Sequence, residues 1–462
     1  MKSSRGVFAN RTLNMRSVRA IGYDMDYTIV HYHVKRWEAL AFHFLRQRLV
    51  ELGWPVADVE FDENFGMRGL VIDMAYGNIV KANRFGYVKK AMHGFKMLEF
   101  DAIKSIYHHD YIDLSQSRWA FVNTFFSLSE ICMYAHAVEA CDAGLFSMHI
   151  SYADIARVIR RELDEAHLEG DMKRVIMAEP EKYIDVDPDV VQTLRDQKQA
   201  DKKVMLITNS DWKFTDAMMK FCCHPYMNSG EHWTDLFDLV IVSARKPAFF
   251  TQDAPIYEVT GEDGLLRAVH EIRSEHKVYE SGNAGLVESW LGFGGNDILY
   301  AGDHVFSDVN ISKAVRRWKT CLIMRELEEE MDILEQHEAD LKTLEDLMHQ
   351  LEQLDIEIAQ KRLEIQRDRV AGGAQHDILV KELTQLRQKA ETLEADIAPR
   401  AMAAGKYYNE TWGLLMRTGN DKSMMARQME QHADIYTSRV SNFMMATPYA
   451  YLRSVRGTLP HD

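Results

Sequence analysis

Four short, mostly apolar runs in this chain each stop abruptly at a polar cluster. Val18 to Tyr23 leads into Asp24, Val204 to Ile207 into Thr208, Leu239 to Val242 into Ser243, and Ile298 to Ala301 into Gly302. Runs of this length without polar alternation read as strands covered on both faces, as in a parallel sheet. Helical patterns fall between them, as at Trp37 to Leu52 and Thr215 to Phe221. Strands alternating with helices predict an α/β fold built on a doubly wound parallel sheet. Ligands bind such sheets beyond the carboxyl ends of the strands, and all four polar clusters fall at that edge.

The chain has 462 residues, enough for about two to four units at roughly 150 residues each. Two stretches interrupt the core pattern. The first, 100–185, is mostly helical in pattern and lies between the first and second clusters, where a cap can be inserted. In the second, 325–400, Leu379, Leu383, Leu386, Ala390, Leu393 and Ile397 alternate spacings of four and three, a heptad seam. Leu341, Leu344, Met348, Leu351, Ile358 and Ile365 form a partner stripe, with Gly372-Gly373 at the turn. The expected division is core at 1–99, a mainly helical cap at 100–185, core again at 186–324, a helical hairpin arm at 325–400, and a C-terminal segment at 401–462 returning to the core. The arm reads either as a solvated projection or as a contact that makes a homo-oligomer.

The formal net charge of −15 argues against nucleic acid and anionic membrane as main partners, because both reward basic patches. A small anionic substrate still fits if a metal and local cations reverse the field at one site. The cysteines, Cys132, Cys141, Cys222, Cys223 and Cys321, are odd in number and irregularly spaced, so no disulfide framework or zinc pattern emerges. Free thiols fit a reducing cytosol. No run approaches the roughly 20 apolar residues of a membrane helix, so a soluble, cytoplasmic protein is expected. His31, His33 and His108-His109-Asp110 lack nearby ligand partners and read as surface or packing residues.

The chemistry is concentrated at the strand ends. Asp24-Met25-Asp26-Tyr27-Thr28 sets two carboxylates two residues apart in one loop. Asp24 can attack phosphorus, while Asp26 protonates the leaving oxygen and then activates water. Thr208-Asn209-Ser210 offers hydroxyl and N–H groups for phosphoryl oxygens. Lys246, in Arg245-Lys246-Pro247, can neutralise phosphoryl charge. Gly302-Asp303-His304-Val305-Phe306-Ser307-Asp308 supplies further carboxylates. Asp24, Asp26, Asp303 and Asp308 are the expected ligands of Mg²⁺, which prefers an oxygen-rich octahedral site.

The order Asp-x-Asp, Thr/Ser, Lys, Asp-x4-Asp, each after its own strand, resembles the haloacid dehalogenase superfamily, and Asp26 favours its phosphatase branch. The words Asp24 to Thr28, Thr208 to Asp211, Ala244 to Pro247, Gly302 to His304, Arg68 to Val71, Tyr76 to Asn78, Asn123 to Phe126, Ser151-Tyr152 and Tyr436 through Tyr451 resemble the cytosolic purine 5′-nucleotidases. The likeness covers most of the chain outside the arm. It implies hydrolysis of purine nucleoside 5′-monophosphates, with phosphotransfer to another nucleoside as a variant. It further implies that Phe126 stacks on the base, that Asn123 and Arg160 approach the purine edge, that Asp164 accepts a hydrogen bond from the base, and that His167 and Lys173 reach the sugar and phosphate. Arg160, Asp164 and His167 share one helix face by spacing. A 6-oxopurine carries a proton on N1 that Asp164 can accept, whereas adenine would leave a buried carboxylate unpaired at a cost of roughly 1–3 kcal/mol. The expected preference is IMP and GMP over AMP. Ser127 replaces a common Asn of the family. A nucleotide effector is implied only in part, since Phe306 fits that site but Ala314 replaces a lysine. The chain ends at Pro460-His461-Asp462 without the long acidic tail of vertebrate members.

Overall fold

The computed structural model describes residues 3–168, 170–261 and 264–457; Pro460-His461-Asp462 lies outside them. One compact unit comprises 1–328 and 415–462, and a second comprises Glu329–Leu414.

The first unit is built on a ten-stranded sheet. In chain order its strands are β1 (Val7–Ala9), β2 (Ala20–Tyr23), β3 (Lys203–Ile207), β4 (Leu239–Val242), β5 (Ile256–Thr260), β6 (Leu265–Val269), β7 (Val278–Ser281), β8 (Ile298–Gly302), β9 (Lys319–Ile323) and β10 (Ile435–Thr437). Their spatial order is β1-β10-β9-β8-β2-β3-β4-β7-β5-β6. The strands from β10 to β7 are all parallel, and antiparallel pairing is confined to the two edges. The expected doubly wound sheet is therefore present. From β2 the chain winds to β3 and β4 on one side and to β8 and β9 on the other, so β2 is the switch point where a ligand crevice forms. All of β2 and β8 is buried. Met205, Ile207, Ile241, Phe250, Tyr300 and Trp318 fill one face of the sheet.

After the short strand His31–Tyr32 the chain leaves this sheet, and it re-enters through Ile184–Asp185, with which His31–Tyr32 pairs antiparallel. The excursion forms the cap. It holds the helices α1 (Val34–Glu51), α2 (Leu128–Asp142), α3 (Tyr152–Leu168) and α4 (Asp171–Ala178). It also holds a separate five-stranded sheet: Lys96–Met97, Val88–His93, Asn78–Ala82, Val71–Asp73 and Trp119–Phe121, in spatial order. The division drawn at residue 99 thus does not match the sheet topology, and the inserted part is not only helical. The physical reason is that Asn78–Ala82 is buried throughout, with Asn78 and Lys81 inside. It lacks the polar alternation that would mark a half-exposed sheet.

In the second unit, Glu338–Val370 and His376–Ala404 are long helices joined at Gly372 and Gly373, whose φ of +109° and +74° suits glycine. Leu379 and Ala390 of the heptad seam are buried. Lys361 pairs with Glu382 across the hairpin at 3.0 Å.

Candidate active site

The site grows from the end of β2. Gly22 is required there because a Cβ would lie 2.8 Å from the ring of Tyr300. The Asp24 N–H donates to the Ala301 carbonyl at 2.9 Å, which fixes the loop against β8. Asp24 Oδ1 accepts from the Met25 N–H at 2.8 Å and lies 2.8 Å from Lys246 Nζ. The same ammonium is 2.8 Å from Asp308 Oδ1 and donates to the Tyr300 hydroxyl at 3.1 Å. Lys246 follows β4. Its N–H donates to Asn209 Oδ1 at 2.6 Å, and its carbonyl accepts from Asn209 Nδ2 at 3.1 Å. Asn209, expected at the substrate, therefore spends its amide on aiming the lysine.

Carboxylate oxygens of Asp24, Asp303 and Asp308 lie within 4.8 Å of one another, and all three residues are buried. Asp308 comes this close because residue 302 is glycine; a Cβ there would sit 2.6 Å from the Asp308 carboxylate. Asp303 Oδ2 accepts from the Thr124 hydroxyl at 3.1 Å, and the Asp303 carbonyl accepts from Arg68 at 3.1 Å. Burial pushes the Asp24 carboxyl up to about 6, with Lys246 pulling it back. Burial, then Asp308 and Asp24, hold Asp303 well above the usual carboxylate range. This crowd of desolvated oxygen donors, served directly by one ammonium, fits a divalent cation such as Mg²⁺.

Asp26 needs a correction. Its side chain is not in the acidic cluster. Oδ1 accepts from the Tyr32 hydroxyl at 2.6 Å and Oδ2 from the Ser210 hydroxyl at 2.8 Å. Both oxygens of the carboxylate are thus engaged by hydroxyl donors. Burial and then Asp24 raise its pKa, while Tyr32 and Ser210 oppose the rise. Thr208 is fully buried, and its hydroxyl accepts from the Ser210 N–H at 3.1 Å.

The cap brings an aromatic wall to this edge. Phe126 meets Tyr27 at 4.8 Å, Trp37 at 5.4 Å and His167 at 5.5 Å between ring centroids. The His167 Nδ1–H donates to the Leu163 carbonyl at 2.8 Å, which leaves Nε2 as an acceptor. Burial lowers the His167 pKa to about 4, so the ring is neutral. His167 Nε2, Asn123 Oδ1 and Trp37 Nε1 are buried without a partner among the described residues. Each is left for a water or a ligand group to satisfy.

Arg160 pairs with Glu130 at 2.8 Å rather than with Asp164. Asp164 itself is exposed, which removes the premise that an unpaired carboxylate would be buried there in the free protein. Lys173 donates to Asp211, the N-cap of Trp212–Cys223, at 2.8 Å. Tyr32, Arg68, Thr124, Trp37 and Glu130 escaped the sequence reading as site residues. Only Arg68 and Thr124 carried a signal, as parts of the quoted words.

The sequence matches the 5′ nucleotidase family over residues 7–462. It is 26% identical over 473 residues to a 5′-nucleotidase domain-containing protein of Dictyostelium discoideum, covering 99% of this chain and 74% of that one. Among solved structures, a predicted phosphoglycolate phosphatase from Haemophilus somnus 129PT matches at 12% identity and TM-score 0.29, covering 66% of this chain and 85% of that one. An archaeal β-phosphoglucomutase from Pyrococcus sp. strain ST 04 matches at 11% identity and TM-score 0.29, covering 66% and 87%. The chain belongs to the 5′ nucleotidase family and is a phosphoric monoester hydrolase of that type.

Proposed function

We propose that this protein hydrolyses purine nucleoside 5′-monophosphates with Mg²⁺, preferring IMP and GMP to AMP. The observation that carries the reading is the junction of Asp24, Asp303 and Asp308 with Lys246 beneath a cap whose Asn123 and His167 hold unpartnered buried acceptors.

Asp24 attacks the 5′-phosphate and forms an aspartyl-phosphate as the bond to O5′ breaks. Asp26 gives O5′ its proton, then takes one from the water that releases phosphate. Lys246, with Thr208 at the strand end, holds the phosphoryl oxygens, while Ser210 holds Asp26. Asp24, Asp303 and Asp308 would hold the cation, which supplies charge neutralisation at the phosphoryl group. A second nucleoside in place of water would make the reaction a phosphotransfer.

Phe126 offers the base a stacking face. On this reading Asn123, Arg160 and Asp164 approach the purine edge, and His167 and Lys173 the ribose and phosphate. Asp164 can accept the N1 proton of a 6-oxopurine. Because it is exposed before binding, its penalty against AMP falls at the lower end, about 1 kcal/mol. A nucleotide effector would have room in a cavity of about 1080 Å³ lined by Arg84, Tyr111, Asp113, Phe306, Arg427 and His432, among others. No helix among the described residues is long and apolar enough to cross a membrane. Action in the cytoplasm as a homo-oligomer completes the reading.

Phosphate release from IMP, GMP, AMP, UMP and a sugar phosphate, with and without Mg²⁺, tests it. Mg²⁺-dependent release centred on IMP and GMP is expected. Release centred on the sugar phosphate, or equal release from AMP, would overturn the base recognition.

A further inference from the structure

Asp26 is held by a residue that belongs to none of the strand-end motifs. The Tyr32 hydroxyl donates to Oδ1 at 2.6 Å while Ser210 donates to Oδ2 at 2.8 Å, so both oxygens, and with them the carboxyl plane, are fixed. Tyr32 lies on the short strand that pairs with Ile184–Asp185. These are the segments through which the chain leaves the core for the cap and returns. The His33 N–H extends the ladder by donating to the Tyr183 carbonyl at 2.7 Å. The Tyr32 ring packs 4.3 Å from Trp37 and 5.2 Å from Tyr27, and Trp37 touches Phe126 and His167 in the cap. One residue thus bonds to the loop carboxylate, pairs in the ladder between the outgoing and returning segments, and packs against the aromatic wall.

We propose that Tyr32 is a positioning residue that orients Asp26 for proton transfer and ties that orientation to the cap. The proposal rests on the reading of Asp26 as proton donor. In the first step an Asp24–phosphorus bond forms, the phosphorus–O5′ bond breaks, and the Asp26 proton goes to O5′, so the nucleoside leaves neutral. In the second, a water–phosphorus bond forms, the Asp24–phosphorus bond breaks, and Asp26 regains a proton. A ribose alkoxide is a poor leaving group and needs that proton, whereas p-nitrophenolate does not. A displaced Asp26 therefore penalises alkyl esters and spares aryl esters.

The experiment compares kcat/KM for IMP and for p-nitrophenyl phosphate in wild type, Tyr32→Phe and Asp26→Asn. Both esters see the same active fraction of each preparation, so their ratio is immune to partial misfolding. Tyr32→Phe is expected to lose about tenfold on IMP and less than about twofold on the aryl ester. Asp26→Asn is expected to lose about 100-fold or more on IMP and far less on the aryl ester. Equal losses on both esters in Tyr32→Phe, or none, while Asp26→Asn keeps its split, would overturn the role of Tyr32 alone. An Asp26→Asn enzyme without a split would overturn the proton-donor assignment and the role of Tyr32 with it.

Discussion

Lys246→Met probes how the acidic cluster is held. Methionine keeps most of the length and volume of lysine, so packing is largely preserved and the ammonium is lost. The Lys246 side chain is 2% exposed and lies 2.8 Å from carboxylate oxygens of both Asp24 and Asp308. Removing it leaves those groups buried against one another and against Asp303. Removing one partner from a buried ion pair costs about 3–5 kcal/mol. The compact unit spans 1–328 and 415–462, and an unfolding entropy of roughly 2 cal/mol/K per residue converts that cost into a fall of about 4–6 °C in Tm. A divalent cation supplies the missing positive charge, so Mg²⁺ should restore more stability in the variant than in wild type. Phosphoryl stabilisation is lost as well, and kcat/KM for IMP should fall by about 100-fold or more. The assay is thermal unfolding by circular dichroism in chelator and in Mg²⁺, beside phosphate release. A variant that melts with wild type in chelator, or gains no more from Mg²⁺ than wild type does, would refute this reasoning.

Asp24→Asn should stabilise the metal-free protein at pH 7 even as it abolishes activity. The folded carboxyl is raised from an ordinary 3.8 to about 6, so ionising it opposes folding; the advantage of Asn should be present at pH 7 and fade as pH falls through 6 toward 4. Denaturant melts at several pH values check this, and a variant less stable than wild type at pH 7 would contradict it. His167→Ala should raise KM for IMP by about two- to tenfold, the range for one hydrogen bond, with little change in kcat. Because His167 titrates near 4, no step in KM attributable to its ionisation should occur near pH 6.5 in wild type.

The strand ends were legible because a strand buried on both faces must be an apolar run and must end where polar chemistry begins. β2, β3, β4 and β8 satisfy this, and the loops after them bring Asp24, Lys246, Asp303 and Asp308 together. The cap sheet was not legible, because its strand Asn78–Ala82 buries polar residues and shows no clean period. The partners of Asp26 and Arg160 were hidden for a different reason. Tyr32 reaches Asp26 from the short strand that pairs with Ile184–Asp185, and Glu130 reaches Arg160 from a different helix. Such pairings are set by packing, which leaves no local pattern. Asp164 was expected to be a buried carboxylate facing the base, and the free protein leaves it exposed.

The most direct test is to trap the covalent step. Phosphate-labelled IMP would be mixed with enzyme and Mg²⁺, quenched in acid within a turnover, and the labelled peptide mapped. The expected result is a hydroxylamine-labile phosphoryl group on Asp24 that is absent in Asp24→Asn. Phosphate release without labelled protein, or label that persists in Asp24→Asn, would contradict the assignment of Asp24 as the nucleophile.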